Sequence, residues 1–345
     1  MVDIFDRLII KKKKLDALKP RPDRERESLQ EWLDVEYTYT SNWIEGNTLT
    51  RQQTALVLEK GITIEGKTIR EHLEATNHRR AIDFIRSMTQ KGHQYITEND
   101  IKSIHKIILT GIEDRWAGIY RQSQVFIRGA ATEPPPPQEV PWRMRKLVEW
   151  LGSIQGEHPA KVAADFHLRF VDIHPFIDGN GRTARLLMNL VLLGHGYPMA
   201  IIKTEERQVY MKAIEEGILT GSLDYFYRVI AGAAERSLDA WTAAARGKSV
   251  TPYFVDQDSA KQPFIFIGTV AKEAMVSIPT VRYYVSQGLI RPVQKSKGGF
   301  MEFDPSVVKQ IKDIKKWQRE ERLTIEEIKK CLVQDFSSSF DGSSV

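Results

Sequence analysis

This sequence has one cysteine in 345 residues, Cys331, so neither an internal disulfide framework nor a thiolate metal cluster is open to it. No apolar run approaches the roughly 20 residues that a membrane helix needs. The opening, Met1 to Ile10 followed by Lys11-Lys12-Lys13-Lys14, puts apolar and basic parts in the wrong order for a secretory signal. We therefore expect a cytoplasmic protein with no membrane partner. Strand signals are scarce as well. In the first two-thirds of the chain only the stretch between Trp116 and Pro141 breaks a helical pattern. The expected fold class is mainly α.

What is present is unevenly distributed. The net charge is +5, yet residues 261–332 carry 14 Lys and Arg against 8 Asp and Glu, which leaves the remainder slightly acidic. A polyanionic partner should be sought at the C-terminal end. The four-lysine run near the start reads as a solvated helix face. Asp23 is the expected cap of a helix with Leu29, Trp32, Leu33, Val35 and Tyr39 at helical spacing, and Gly46 and Asn47 are its stop signals. Glu45 falls in the last turn, where the helix dipole disfavours an anion. It wants a cation from elsewhere. Thr50 and Thr97 are placed to cap further helices, and Thr97 to Asp100 resembles a capping box.

From Gly118 the pattern changes, through Gln124-Val125-Phe126-Ile127 and on to four prolines, Pro134 to Pro137. We expect a small β-hairpin flap ending in an extended polyproline segment. Helices resume from Trp142 and from Pro159. Residues 246–262 lack periodicity and are the expected linker. Beyond them, Ile267 to Ala274, a turn, and Ile278 to Val285 form a helix-turn-helix pattern, with a basic hairpin from Lys295 to Phe303 as a wing. The tail, 333–345, is expected to be disordered.

The densest chemistry lies in His174-Pro175-Phe176-Ile177-Asp178-Gly179-Asn180-Gly181-Arg182-Thr183-Ala184-Arg185. Two glycines around Asn180 let consecutive backbone N–H groups turn toward one point, ahead of an apolar helix whose dipole adds positive potential. Arg182 and Arg185, three apart, share a side of that helix. Asp178 could hold a magnesium ion, which favours one carboxylate plus phosphate oxygens. His174 is poised near neutral pH as a general base. Together these groups suit transfer of a nucleotidyl or phosphoryl group to a hydroxyl.

This stretch resembles the signature of the Fic domain, HPFx(D/E)GNGRxxR, and matches it at every specified position. With Gly118-Ile119-Tyr120-Arg121 and the flap, the resemblance covers roughly residues 96–245. It implies a Fic-type helical bundle that transfers AMP from ATP to a Ser, Thr or Tyr hydroxyl of a target protein, itself included. His174 would deprotonate the hydroxyl and Asp178 would bind Mg2+. Gly179, Asn180 and Gly181 would hold phosphates, Arg182 the β-phosphate and Arg185 the γ-phosphate. Gln124, Val125, Phe126 and Ile127 would align the target by strand addition. Ser41 to Gly46 is similar to the family's inhibitory (S/T)xxxE(G/N) motif, on a helix of about 36–47 within an N-terminal region, 1–95. Glu45 would then pair with Arg185 and compete with the γ-phosphate. In some relatives the same glutamate assists removal of AMP.

Residues 263–332 resemble a MerR-like winged helix-turn-helix domain, through Thr280 to Tyr284 and Leu323 to Ile328 among others. By that resemblance Arg282, Tyr283, Lys295 and Lys297 face the phosphates or the groove of DNA; a protein-binding winged helix is the competing reading. The wing lacks the usual arginine after its aromatic and no long dimerisation helix follows Leu332, so DNA binding would require a homodimer formed through the Fic part. An alternative reading is a DNA-binding transcriptional regulator whose Fic domain senses ATP.

Overall fold

The computed structural model describes residues 3–18, 22–89, 92–127, 132–255, 265–292, 294–295, 301–303, 307–320 and 323–328. The chain divides into two compact units, Met1–Phe254 and Val255–Val345.

The first unit is built around one helix. From Leu186 on, helix α8 (Asn180–Gly194) is apolar apart from Asn189, and Leu186, Leu187, Met188, Val191 and Leu192 are fully buried. A segment that is apolar on every side belongs in the centre. It lies along α7 (Pro159–Ile173), with α4 (Ile69–Ser87) and α5 (Glu98–Leu109) on its other sides. The long α2 (Asp23–Ile44) packs on α4, and α1 (Ile4–Asp16) runs along α10 (Asp224–Ala245). The short α3 (Arg51–Lys60), α6 (Val140–Ser153) and α9 (Arg207–Thr220) complete the bundle. Capping boxes open α3, α4 and α5 at Thr50, Thr68 and Thr97.

Several details differ from the sequence expectations. Helix α2 is capped at Pro22, whose carbonyl accepts the Glu25 and Arg26 N–H groups, so Asp23 is its first helical residue. Residues 119–127 and 132–136 form no regular strand, and the tip of the expected hairpin, 128–131, lies outside the described residues. Part of the expected linker folds as a helical turn, α11 (Thr251–Phe254). Its Phe254 is buried and rests on Trp32, ring centroids 5.9 Å apart.

The second unit has α12 (Ile267–Glu273) and α13 (Ile278–Ser286) joined by a tight turn, with Met275 at a positive φ of 53°. Ser277 caps α13 through Thr280 N at 3.2 Å. Three short antiparallel strands, β1 (Ile265–Phe266), β2 (Gln294–Lys295) and β3 (Met301–Phe303), lie in the order β1-β3-β2, and α14 (Val307–Glu320) follows. Val270, Val281, Tyr284, Phe303, Ile311 and Ile314 form its core. The wing tip with Lys297, and the tail from 333, lie outside the described residues.

Candidate active site

His174 ends α7 in the left-handed region, φ 49°, with its N–H on the Phe170 carbonyl at 3.0 Å. A non-glycine residue held there is an uncommon conformation of the kind that clusters at functional sites. Arg121 fixes it. That buried side chain donates from Nε to the His174 carbonyl at 2.8 Å, and from its two terminal nitrogens to the Ser123 and Pro135 carbonyls. Its own N–H reaches the Pro175 carbonyl at 2.9 Å. One residue thus ties both ends of the 121–135 excursion to the start of the glycine loop. Within the excursion Gln124 Nε2 donates to the Pro134 carbonyl at 2.9 Å, and Phe126 is 75% exposed.

The loop itself is braced from inside. Asn180 accepts from Phe176 N at 3.0 Å and donates to Phe176 O at 2.8 Å, so its side chain closes the turn. Phe176 is fully buried and stacks on His105, centroids 3.6 Å apart and nearly parallel. His105 takes the Gly118 N–H on Nδ1 at 2.9 Å and approaches the Asp178 carbonyl from Nε2 at 2.9 Å. A backbone N–H can only donate and a carbonyl only accept, so the ring is neutral with its proton on Nε2. Burial pushes its pKa down to about 4, which agrees.

His174 is likewise neutral at physiological pH. Burial, then the nearby Arg121 guanidinium, lowers it to about 4, against the opposing pull of the Val171 carbonyl, Glu45 and Asp178. Its Nδ1 is buried with no hydrogen-bond partner. An unprotonated imidazole can accept a proton, and the negative charge of a bound phosphate would raise its basicity.

The structure brings Glu45 to Arg185. Arg185 is 2% exposed and donates from Nε to Ser41 Oγ at 2.9 Å, and from Nη2 to the Ser41 carbonyl and to Glu45 Oε1, both at 2.8 Å. Arg207 Nε holds the Ile44 carbonyl at 2.9 Å, which satisfies the end of α2 just where Glu45 leaves it. The carboxylate lies on the glycine loop itself: a Cβ at Gly181 would come within 2.1 Å of Glu45 Oε1. A helix start of this kind favours negative charge nearby, and here the Glu45 carboxylate supplies it.

Arg182 is held differently. It faces Glu74 Oε1 at 3.3 Å and Asp178 Oδ1 at 3.5 Å, while its Nε and Nη1 are buried without hydrogen bonds. Asp178 takes the Gly179 N–H on Oδ1 at 2.6 Å and the Arg70 guanidinium on Oδ2. Burial alone would raise its pKa; Arg182, the Gly179 N–H and Arg70 outweigh that and hold the carboxyl below the usual range. Among the described residues no group of three or more His, Cys, Asp or Glu could hold a metal ion. Asp178, part-exposed beside a loop with spare donors, fits an ion that takes one carboxylate and completes its shell from phosphate and water.

Nothing local in the sequence marks Arg70, Glu74 or His105 as site residues, and Arg121 enters there only as part of the Gly118–Arg121 stretch. Arg70 and Glu74 look like an ordinary i,i+4 surface pair, and His105 lies on the buried face of α5 with Ile101, Ile104 and Ile108. In the second unit Arg282 and Tyr283 are both exposed on α13, while Lys295 lies on β2.

Comparison with known proteins finds relatives of both units of the chain. The profile of the Fic/DOC family matches residues 95–192, and that of the MerR HTH family regulatory proteins matches 266–334. The protein adenylyltransferase Fic of Nematostella vectensis is 36% identical over 234 residues, 66% of this chain and 54% of that protein. That of Aedes aegypti is 35% identical over 244 residues, 70% of this chain and 48% of that protein. The chain spans about half the length of these curated relatives. Among solved structures, Fic-1 (aa134 - 508) from C. elegans has a TM-score of 0.64 at 31% identity, covering 71% of this chain and 72% of that one. A Fic domain containing signaling protein from Bacteroides thetaiotaomicron has a TM-score of 0.64 at 30% identity, over 72% of this chain and 99% of that one. With nearly the whole of that protein matched at this identity, the chain belongs to the Fic family.

Proposed function

We propose that this protein is an adenylyltransferase that moves AMP from ATP to a hydroxyl side chain of a target protein, and that it is held inactive by Glu45. The observation that carries the reading is the glycine loop of α8, with a neutral His174 at one end, a carboxylate seated over Gly181 and buried guanidiniums at Arg182 and Arg185. His174 takes the proton of the target hydroxyl, whose oxygen attacks the α-phosphorus. The bond from that phosphorus to the bridging oxygen breaks, and pyrophosphate leaves with the electron pair. Arg182 and Arg185 stabilise the charge that builds on the β- and γ-phosphates. Mg2+ held by Asp178 would neutralise phosphate charge when bound. The exposed segment Gln124–Ile127, with Phe126 at its centre, is the place for the target backbone.

In the resting state Glu45 holds the guanidinium that the γ-phosphate needs, and its carboxylate repels the phosphates. Glu45→Gly should raise labelling of the protein by ATP carrying label on its α-phosphate. Unchanged or lower labelling in a folded Glu45→Gly protein overturns the inhibitory role. No transfer under any condition overturns the enzymatic one.

The match to the MerR HTH profile favours a second role for residues 266–334, that of a DNA-binding module. Arg282 and Tyr283 on α13 would contact the duplex and a homodimer would supply the second half-site. A gel-shift series should show affinity falling steeply with salt. A flat salt dependence argues against phosphate contacts.

A further inference from the structure

Asp178 already faces a cation. Arg70, in the first turn of α4, reaches the mouth of the glycine loop and binds Asp178 Oδ2 through Nη2, while its Nε holds Glu74 Oε1 at 3.2 Å. The other oxygen, Oδ1, is engaged by the Gly179 N–H and faces Arg182. Both carboxylate oxygens therefore have donors. A magnesium ion needs its oxygen at about 2.0–2.1 Å and tolerates no guanidinium on the same lone pairs. The Arg70 side chain is 48% exposed, so solvent can take it when it leaves. Glu74, one turn further along α4, remains as an alternative partner.

The charges match as well. Three guanidiniums, Arg70, Arg182 and Arg185, face three carboxylates, Asp178, Glu74 and Glu45, around the loop, so the charges already balance and a divalent ion arriving alone would leave an excess of positive charge. A triphosphate brings the negative charge that lets the exchange of one guanidinium for one divalent ion balance.

We propose that Arg70 is a displaceable counter-ion that stands in for the divalent metal at Asp178, and that its release sets the metal concentration at which nucleotide binds. This rests on the nucleotide-binding reading given above. Arg70 is in this sense a positioning residue, acting through Asp178. It is separate from Glu45, which opposes the nucleotide's phosphates and leaves Asp178 untouched.

The test uses the full chain carrying Glu45→Gly, so that the phosphate side is open. Binding of the α,β-methylene analogue of ATP is measured by calorimetry across a Mg2+ series, with and without Arg70→Ala. An exposed ion pair of this kind should shift the Mg2+ midpoint about threefold to fivefold downward in Arg70→Ala, with affinity in the absence of Mg2+ changed less than about twofold. Arg70→Lys, which keeps the charge, should stay close to the parent midpoint. A midpoint unchanged or raised in Arg70→Ala overturns the proposal. So does loss of Mg2+-independent binding, which would make Arg70 a phosphate ligand. If the Glu45→Gly parent fails to bind the analogue at any Mg2+ concentration, the nucleotide reading itself fails, an outcome distinct from the other two.

Discussion

Arg182 and Arg185 leave the first two turns of the same helix on the same side, and each is 2% exposed, yet their surroundings differ in kind. Arg185 has oriented oxygen partners, two from Ser41 and one from Glu45. Arg182 has acidic neighbours at 3.3 and 3.5 Å but no hydrogen bond on Nε or Nη1. Burying a charged donor without an acceptor is costly, and folds normally avoid it. The contrast teaches where the site is closed and where it is merely neutralised. On the α2 side a carboxylate meets the guanidinium with good geometry; on the α4 side acids balance charge and leave donors free.

The largest expected effect tests what both corners have in common. His174→Ala should lower AMP transfer by about 100-fold to 10,000-fold in the Glu45→Gly background, because neither corner supplies a base. Calorimetric ATP affinity should be nearly unchanged, and a parallel loss of binding would mean that His174 holds the loop rather than takes a proton. Next comes the saturated corner. Opening it with Glu45→Gly should raise labelling by about 5-fold to 100-fold, the usual scale of coupling between a regulatory contact and a ligand. The loose corner should respond least. Glu74→Gln, read by ATP affinity, should tighten binding by only about twofold to fivefold, since the Glu74 contact with Arg182 has no hydrogen-bond geometry. A Glu74→Gln effect larger than that of Glu45→Gly would reverse the comparison and make α4 the principal inhibitory element.

Much of this site could be read from the chain alone because its parts are local. The glycine loop, the apolar helix behind it and the spacing of Arg182 and Arg185 depend on residues within one turn or two. Thr97 could be read as a cap for the same reason: a capping box closes within four residues, and the structure has it. Pro22 took the cap expected at Asp23 because a carbonyl three or four residues back suffices to start a helix. His105 and Arg121 could not be read. A histidine among isoleucines on a helix looks like core, and only the approach of Gly118 and Asp178 to its two nitrogens gives it a task. Arg121 sits in an irregular stretch whose return at Pro135 no periodicity announces.

Neighbours in the chain set the inventory and local geometry of the loop: an imidazole, a carboxylate, backbone N–H groups and two guanidiniums at the start of a buried helix. They also require that Glu45, at an unfavourable helix end, find a cation. Which cation it finds depends on long-range packing. Glu45 meets Arg185 across 140 residues and Arg70 meets Asp178 across 108, through the packing of α2 and α4 against α8. Helical spacing fixes neighbours along one element, and nothing in it sets the angle at which two distant elements pack. That angle follows from burial of the whole apolar core, and here it decides whether the loop faces an acid, a guanidinium or a nucleotide.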